Sequence, residues 1–247
     1  MIIYGKNPVR EFLVQPSSNI LEVFISSEKK RADISDLLRL AEERGIKITY
    51  LSRESLSKTA RTASHQGVAA RLSDYAYAAV SEISRKAKER GESLLVVILD
   101  HLEDPQNFGA IIRSVYVLGA HGIIIPKDRS VSVTPAVVKT SAGTVSAVLI
   151  SMVTNIVRAI SELKKSGIWI VGADPSADKS IIDQDLVGLD IALVIGSEGK
   201  GLKRLVREEC DFLVSIPTIG ASSLNASVAA GIMIYEIQRQ RRRTKDK

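Results

Sequence analysis

The sequence predicts an α/β fold, with a helix-covered parallel sheet over residues 93–247 preceded by a small α/β sandwich over residues 1–73. Three observations carry that expectation. Residues 94–99, 122–125, 168–171, 191–195 and 212–216 are nearly continuous apolar runs, the pattern of strands buried on both faces. Helical stretches separate most of these runs, as crossovers between parallel strands require. The first 73 residues alternate shorter strand and helix patterns of their own.

In chain order, a helix is expected near residues 7–13 and a strand at 21–26. Residues 34–44 repeat apolar side chains at helical spacing and stop at Gly45, which accepts the left-handed backbone that ends a helix. A strand at 47–51, a helix at 53–60 and a strand near 67–72 close the sandwich. Residues 74–92 hold four charges of each sign among Ala and Ser, without a strong apolar face. They read as a linker whose helical part ends at Gly91.

Composition narrows the function classes. At 247 residues, 45% hydrophobic and 25% charged, the chain is globular and long enough for two modest domains. A single cysteine, Cys210, excludes an internal disulfide scaffold, and three scattered histidines, His65, His101 and His121, do not make a Cys/His zinc site. No metal is expected. The longest aliphatic run is far below the roughly 20 residues a membrane helix needs, and the N-terminus has no apolar signal core, so a cytoplasmic chain without membrane association is expected. The net charge is +6, unevenly spread: residues 1–73 hold 12 basic and 8 acidic side chains, residues 93–237 hold 12 and 15, and residues 238–247 hold 6 and 1. A polyanion docked by the N-terminal part and the tail fits this pattern, with solvated basic surface as the alternative.

Ligands of parallel sheets sit outside the carboxyl ends of the strands, which directs attention to the loops after residues 99, 195 and 216. In the first, Pro105 and the Asn107-Phe108-Gly109 step open a helix that carries Arg113 within two turns of its anion-favouring N-terminus. A phosphate or polarised hydroxyl could be held there; an Asn cap with a solvated Arg explains the same spacing. The second, residues 196–202, packs glycines around Glu198 but has neither the Ser/Thr of a P-loop nor dinucleotide-fingerprint spacing. ATP hydrolysis and nicotinamide chemistry are therefore disfavoured. The third supplies Ser222, Ser223, Asn225 and Ser227 ahead of a helix rich in Ala and Gly.

The segments DPQNFGAIIRS (104–114), VIGSEGKGL (194–202) and IPTIGASSLNASVAAGI (216–232) resemble, in this order, three motifs of the knotted SPOUT-class RNA methyltransferases of the ribose 2′-O-methylating branch. IYGKNPVREFL (3–13) and HQGVAA (65–70) are similar to the ribosomal-protein-like substrate-binding domain of large-subunit rRNA guanosine methyltransferases. The resemblance implies a C-terminal trefoil knot, a homodimer and S-adenosylmethionine bound against the backbone at Gly196, Ile216 and Leu224. It places a catalytic constellation at Asn107, Arg113, Glu198, Ser223 and Asn225, with Glu198 available to orient Arg113. A guanosine 2′-hydroxyl of 23S rRNA is the expected target. A tRNA ribose methyltransferase and a non-catalytic RNA-binding or ribosome assembly factor are the alternatives. SAGTVSAV (141–148) departs from many relatives at Thr144, which touches no catalytic position.

Overall fold

The small N-terminal sandwich contains one strand more than the apolar pattern indicates. The computed structural model describes residues 1–15, 18–220 and 223–243, with side chains through residue 242. Ser222 and the basic side chains beyond residue 242 lie outside the described residues. Two compact units divide the chain, residues 1–76 with 133–147 and residues 77–132 with 148 onward.

The first unit runs β1 (Ile2–Tyr4), α1 (Lys6–Val14), β2 (Ile20–Ser26), a 3-10 turn Arg31–Ile34, α2 (Ser35–Glu43), β3 (Lys47–Leu51), α3 (Arg53–Ala60) and β4 (Val68–Leu72). Its sheet has the order β1-β4-β2-β3, antiparallel at β1/β4 and β4/β2 and parallel at β2/β3. Strand side chains alternate between faces. Phe24 and Ala69 therefore meet Leu56 and Ala60 of α3, while the buried Val23, Ile25 and Ala70 point the other way. Arg44 closes the end of α1 by donating to the carbonyls of Phe12, Leu13, Gln15 and Ser18 at 2.8–3.0 Å. That part of the N-terminal positive charge is structural.

The second unit contains α4 (Val80–Glu89), β5 (Leu95–Asp100), α5 (Pro105–Leu118) and β6 (Gly122–Pro126), then, beyond the helix α6 (Pro135–Thr140), β7 (Leu149–Val153), α7 (Ile156–Lys165), β8 (Trp169–Ala173), β9 (Ile191–Gly196), α8 (Arg204–Glu208), β10 (Phe212–Val214) and α9 (Ala226–Arg243). The six strands are ordered β10-β8-β9-β5-β6-β7 and every neighbouring pair is parallel. From β5 the chain winds outward to β6 and β7, then crosses to the other side of β5 to form β8, with β9 inserted between β8 and β5. The carboxyl ends of β5 and β9 thus flank the reversal of strand order, where open parallel sheets bind ligands. One face is covered by Ile83 and Ala87 of α4, Ile156, Ile160 and Leu163 of α7, and Val206 of α8, packed on Val96, Ile98, Ile124, Ile170, Ala192 and Val194. Helices α5 and α9 pack against each other, and α9 also meets β9.

Three sequence expectations change. Residues 74–92 do form the expected helix, stopping just before Gly91, but it is packed rather than a loose linker: α4 buries Ile83, and a buried Ile contributes about 1.5–3 kcal/mol, which anchors a helix that looks nearly all polar. The last strand stops at Val214, leaving Ile216 in the following loop. Residues 133–147, expected within a domain starting at residue 93, cluster with the N-terminal unit, whose boundary falls after Ala76. Here α6 packs on β1, and a Cβ at Gly143 would come within 2.8 Å of Glu11 Cβ and 2.9 Å of Pro8 Cα. Only glycine permits α1 so close. Thr144 serves this turn locally, donating its hydroxyl to the Ser141 carbonyl at 2.8 Å. A fragment beginning at residue 93 would strip α6 of the strand it packs on.

Two buried histidines make stability pH-dependent. His65 accepts from Gly67 N at Nδ1, and His121 accepts from Leu95 N at Nδ1. Burial pushes both imidazoles below the ordinary value of 6.5; Arg53 adds to this at His65, and at His121 burial outweighs the Glu92 carboxylate. The folded protein therefore binds these protons less readily than the unfolded chain, so their contribution is complete above pH 6.5 and is lost as the pH falls below it. The melting temperature is expected to drop between pH 7.5 and pH 5.5. An unchanged midpoint in a thermal scan across that interval contradicts the assignment.

Candidate functional site

The first loop is built from its acidic end. Asp100, the last residue of β5, is fully buried; its Oδ1 lies 2.6 Å from His101 Nδ1, and its Oδ2 accepts from Lys203 N at 2.6 Å. A buried carboxylate needs such partners. It thereby ties the end of β5 to the loop after β9. Asp104 caps α5 by accepting from the amides of Gln106 and Asn107, both at 3.1 Å, and Pro105 occupies the first turn, where its missing N–H costs nothing. Asn107 is therefore not the cap. Its side chain is free to act elsewhere, and its amide Nδ2 donates to Glu198 Oε1.

Glu198 sits in a tight turn after β9. Ser197 N donates to Gly201 O at 3.2 Å and Gly201 N to Ser197 O at 2.9 Å, while Gly199 and Gly201 have φ of +76° and +64°. At Gly196 the constraint is space. A Cβ there would lie 2.2 Å from the Gly201 carbonyl carbon, inside any permissible contact. The glycine density of residues 196–201 thus folds the backbone back on itself at the strand end. The structure pairs Glu198 with Asn107, not with Arg113 as the sequence suggested.

A cavity of about 690 Å³ opens beside this turn. Its walls include Gly196, Glu198 and Leu202 of the turn, Ile216, Ser223 and Leu224 of the third loop, and Met233 of α9. All three positions expected against the cofactor, Gly196, Ile216 and Leu224, line it together with Glu198 and Ser223. Asn225 is placed differently: its Oδ1 accepts from the Ser227 amide at 2.9 Å and hydroxyl at 2.6 Å, capping α9. Arg113 is exposed and makes no hydrogen bond or ion pair to a described residue. It lies six residues along α5 from Asn107, about 9 Å in axial rise.

The sequence reading missed Asp100 and Asp174. Asp174 follows β8, a strand end whose loop lacks an unusual motif. It lines the same cavity, accepts from Ser176 N at 2.8 Å and Oγ at 2.7 Å, and pairs with Arg207 Nε at 2.6 Å. Burial alone would raise its pKa, but the Ser176 bonds and the Arg207 guanidinium overcome this and hold it below the usual value. Cys210 is inert as a nucleophile, since burial pushes its thiol to about 12. Among the described residues no group of three or more His, Cys, Asp or Glu could hold a metal ion, and no helix is long and apolar enough to cross a membrane.

Residues 94–235 match the SpoU rRNA methylase family, and residues 2–78 match the family described as RNA 2′-O ribose methyltransferase substrate binding. A TrmH-family protein of Bacillus subtilis (strain 168), named as the tRNA/rRNA methyltransferase YacO, is 42% identical over 240 residues, covering 97% of this chain and 95% of that protein. The crystal structure of the SpoU methyltransferase AviRb from Streptomyces viridochromogenes in complex with AdoMet superposes with a TM-score of 0.82 at 26% identity, over 97% of this chain and 90% of that one. The TrmH/SpoU tRNA modifying enzyme of A. aeolicus is 27% identical with a TM-score of 0.56, but covers only 66% of this chain and 86% of that one. With both parts of the chain matched and the sheet-end cavity formed by the matched loops, this chain belongs to the SpoU rRNA methylase family of TrmH/SpoU RNA methyltransferases.

Proposed function

We propose that this protein transfers a methyl group from S-adenosylmethionine to the ribose 2′-hydroxyl of a guanosine in large-subunit rRNA. The observation that carries the reading is the cavity at the strand reversal, where the motif loops bring Gly196, Glu198, Ile216, Ser223 and Leu224 together, with Asn107 bonded to Glu198. Its chemistry fits the cofactor. Apolar Ile195, Ile216, Leu224 and Met233 suit a nucleoside, backbone amides and hydroxyls suit its polar edges, and the Glu198 carboxylate suits a cationic ligand, Asp174 being already paired with Arg207. When bound, S-adenosylmethionine supplies an activated methyl on a sulfonium that leaves as a neutral thioether.

The protein's task is then to position the hydroxyl and ease loss of its proton to solvent water. A guanidinium stays protonated at neutral pH and makes a poor base, so Arg113 acts as an electrostatic clamp on the hydroxyl or the adjacent phosphate. Asn107 fixes Glu198 at the cavity rim, and Ser223 offers a hydroxyl there. Asn225 contributes by capping α9 and so setting where the third loop ends.

The homodimer belongs to this reading. Tyr116 and Val117 of α5 and Val228, Ile232 and Tyr235 of α9 are all exposed on helices that pack together, an apolar surface of the kind that marks interfaces. Arg113 is exposed on the same helix one turn from them, so pairing would bring it to the partner's surface. Ile232→Glu is expected to shift the protein to monomer in light scattering and to reduce activity; a wild-type protein that is already monomeric contradicts this. The C-terminal knot is supported by Gln240, bonded to Leu186 N, Ile181 O and Gln184 O, and by Arg241, which donates to the carbonyls of Ser93, Leu94 and Leu189. These bonds hold α9 against the connection between β8 and β9. They also make Arg241 of the basic tail structural.

The family matched at residues 94–235 is described as an rRNA methylase family, which favours ribosomal RNA. Mapping 2′-O-methylation in total RNA with and without the protein tests the choice. One gained guanosine mark in large-subunit rRNA is expected, a mark confined to tRNA overturns the target, and no methylation of any RNA by cofactor-bound protein favours the assembly factor.

A further inference from the structure

The N-terminal unit has a cavity of its own, about 610 Å³, lined by Glu28, Lys29, Arg53, His65, Gly67 and Lys139 among others. Its floor is rigid. His65 is 2% exposed and both ring nitrogens are engaged, Nδ1 accepting from Gly67 N and Nε2 3.0 Å from Ser57 Oγ. Since Nδ1 accepts, the proton resides on Nε2 and Ser57 receives it. Gly67 O is bound in turn by Ser26 N at 2.9 Å. The neutral histidine therefore shapes the wall without competing for a ligand.

The rim is cationic and largely uncommitted. Arg53 is exposed, and its guanidinium makes no hydrogen bond or ion pair to a described residue. Lys139 comes from α6, in the segment that joins this unit from residues 133–147, and its Nζ stands 5.2 Å over the Tyr4 ring with no carboxylate of a described residue within ion-pair distance. The stem of Lys29 crosses the Gly67 backbone, 3.1 Å from where a Cβ would be, and its ammonium is a loose 3.8 Å from Asp33. Against these three cations the wall has one carboxylate, Glu28. A rim with more cations than carboxylates around a preformed hollow favours an anion, and the volume lies within the roughly 300–1,000 Å³ range of sites that take whole small molecules.

We propose that this cavity takes one nucleotide of the RNA substrate, with its phosphate held by Arg53, Lys139 and Lys29. The proposal rests on the RNA methyltransferase reading and adds to it the site at which the N-terminal unit grips the substrate. It also gives a reason for residues 133–147 to fold with that unit, because without them the site loses Lys139.

The test is anisotropy titration of a short labelled single-stranded RNA with the full-length protein at several salt concentrations. The variants are Arg53→Gln with Lys139→Gln, Glu28→Gln, and Lys58→Gln, which removes a cation paired with Glu54 on the same helix as Arg53 but outside the cavity wall. Thermal melting checks that each is folded. The double variant is expected to bind about tenfold more weakly, with a salt slope shallower by about 0.7–0.9 for each phosphate no longer neutralised. Glu28→Gln is expected to bind more tightly, and Lys58→Gln like wild type. A folded double variant that binds like wild type, or a Lys58→Gln loss equal to that of the double variant, overturns the proposal. Methyl transfer to ribosomal RNA separates the two readings: a double variant with unchanged RNA affinity and KM removes the cavity but leaves the methyltransferase, whereas the expected binding pattern without methyl transfer removes the methyltransferase but leaves the cavity.

Discussion

Replacing Arg113 with alanine is expected to lower single-turnover methyl transfer by about 10²- to 10³-fold, the usual effect of deleting one donor aimed at developing charge. Affinity for S-adenosylmethionine should be unchanged, because Arg113 does not line the cavity proposed for the cofactor. Nor should stability suffer, since the side chain is exposed and unpaired with any described residue. The conservative variant separates a clamp from a base. Arg113→Lys keeps the cation but loses the planar fork that grips two oxygens at once, so a small residual activity is expected at all pH values. A lysine variant that matches wild type above the lysine pKa and dies below it would show that position 113 supplies a base.

At Gly196 the expected loss is of binding. The Cβ of Gly196→Ala would lie 2.2 Å from Gly201 C and 2.5 Å from both Gly201 O and Leu202 N. All three are backbone atoms, so no flexible side chain can yield. The turn from Ser197 to Gly201 must move, and Glu198 moves with it. Displacements near 1 Å at a reacting centre can lower rates by about 10²-fold, and overpacking of this kind destabilises by about 1–3 kcal/mol. Calorimetry is expected to show S-adenosylmethionine binding weakened in the same variant. Wild-type affinity in folded Gly196→Ala would contradict the placement of the cofactor against this backbone.

Much of this architecture was legible in the chain because burial on both faces leaves a continuous apolar run. β5, β6, β8 and β9 all announce themselves in that way. β7 does not: Leu149–Val153 includes Ser151 and follows a Ser- and Ala-rich stretch, so the run lacks the composition of a buried strand. β1 is three residues long and becomes a strand only by pairing with β4 some 65 residues later, Ile3 opposite Ala70. α4 is mostly polar and depends on Ile83 reaching a core formed by strands that follow it. In each case the deciding partner is distant in sequence.

The site divides along the same line. The chain by itself pointed to the loops after three strands as the candidate site, because glycine density, a Pro-capped helix start and a Ser/Asn-rich loop are local properties of adjacent residues. Only the tertiary structure decided how those residues meet. Asn107 and Glu198 are 91 positions apart and bond to each other, leaving Arg113 without a described partner. Asp100 and Lys203 are 103 positions apart and lock the two loops together, and Asp174 enters the cavity wall from a strand end with no motif. Local sequence sets what a loop can do, through the φ values and caps it permits. Which carboxylate faces which amide is set by strand order, and that order follows from long-range pairing that no local pattern encodes.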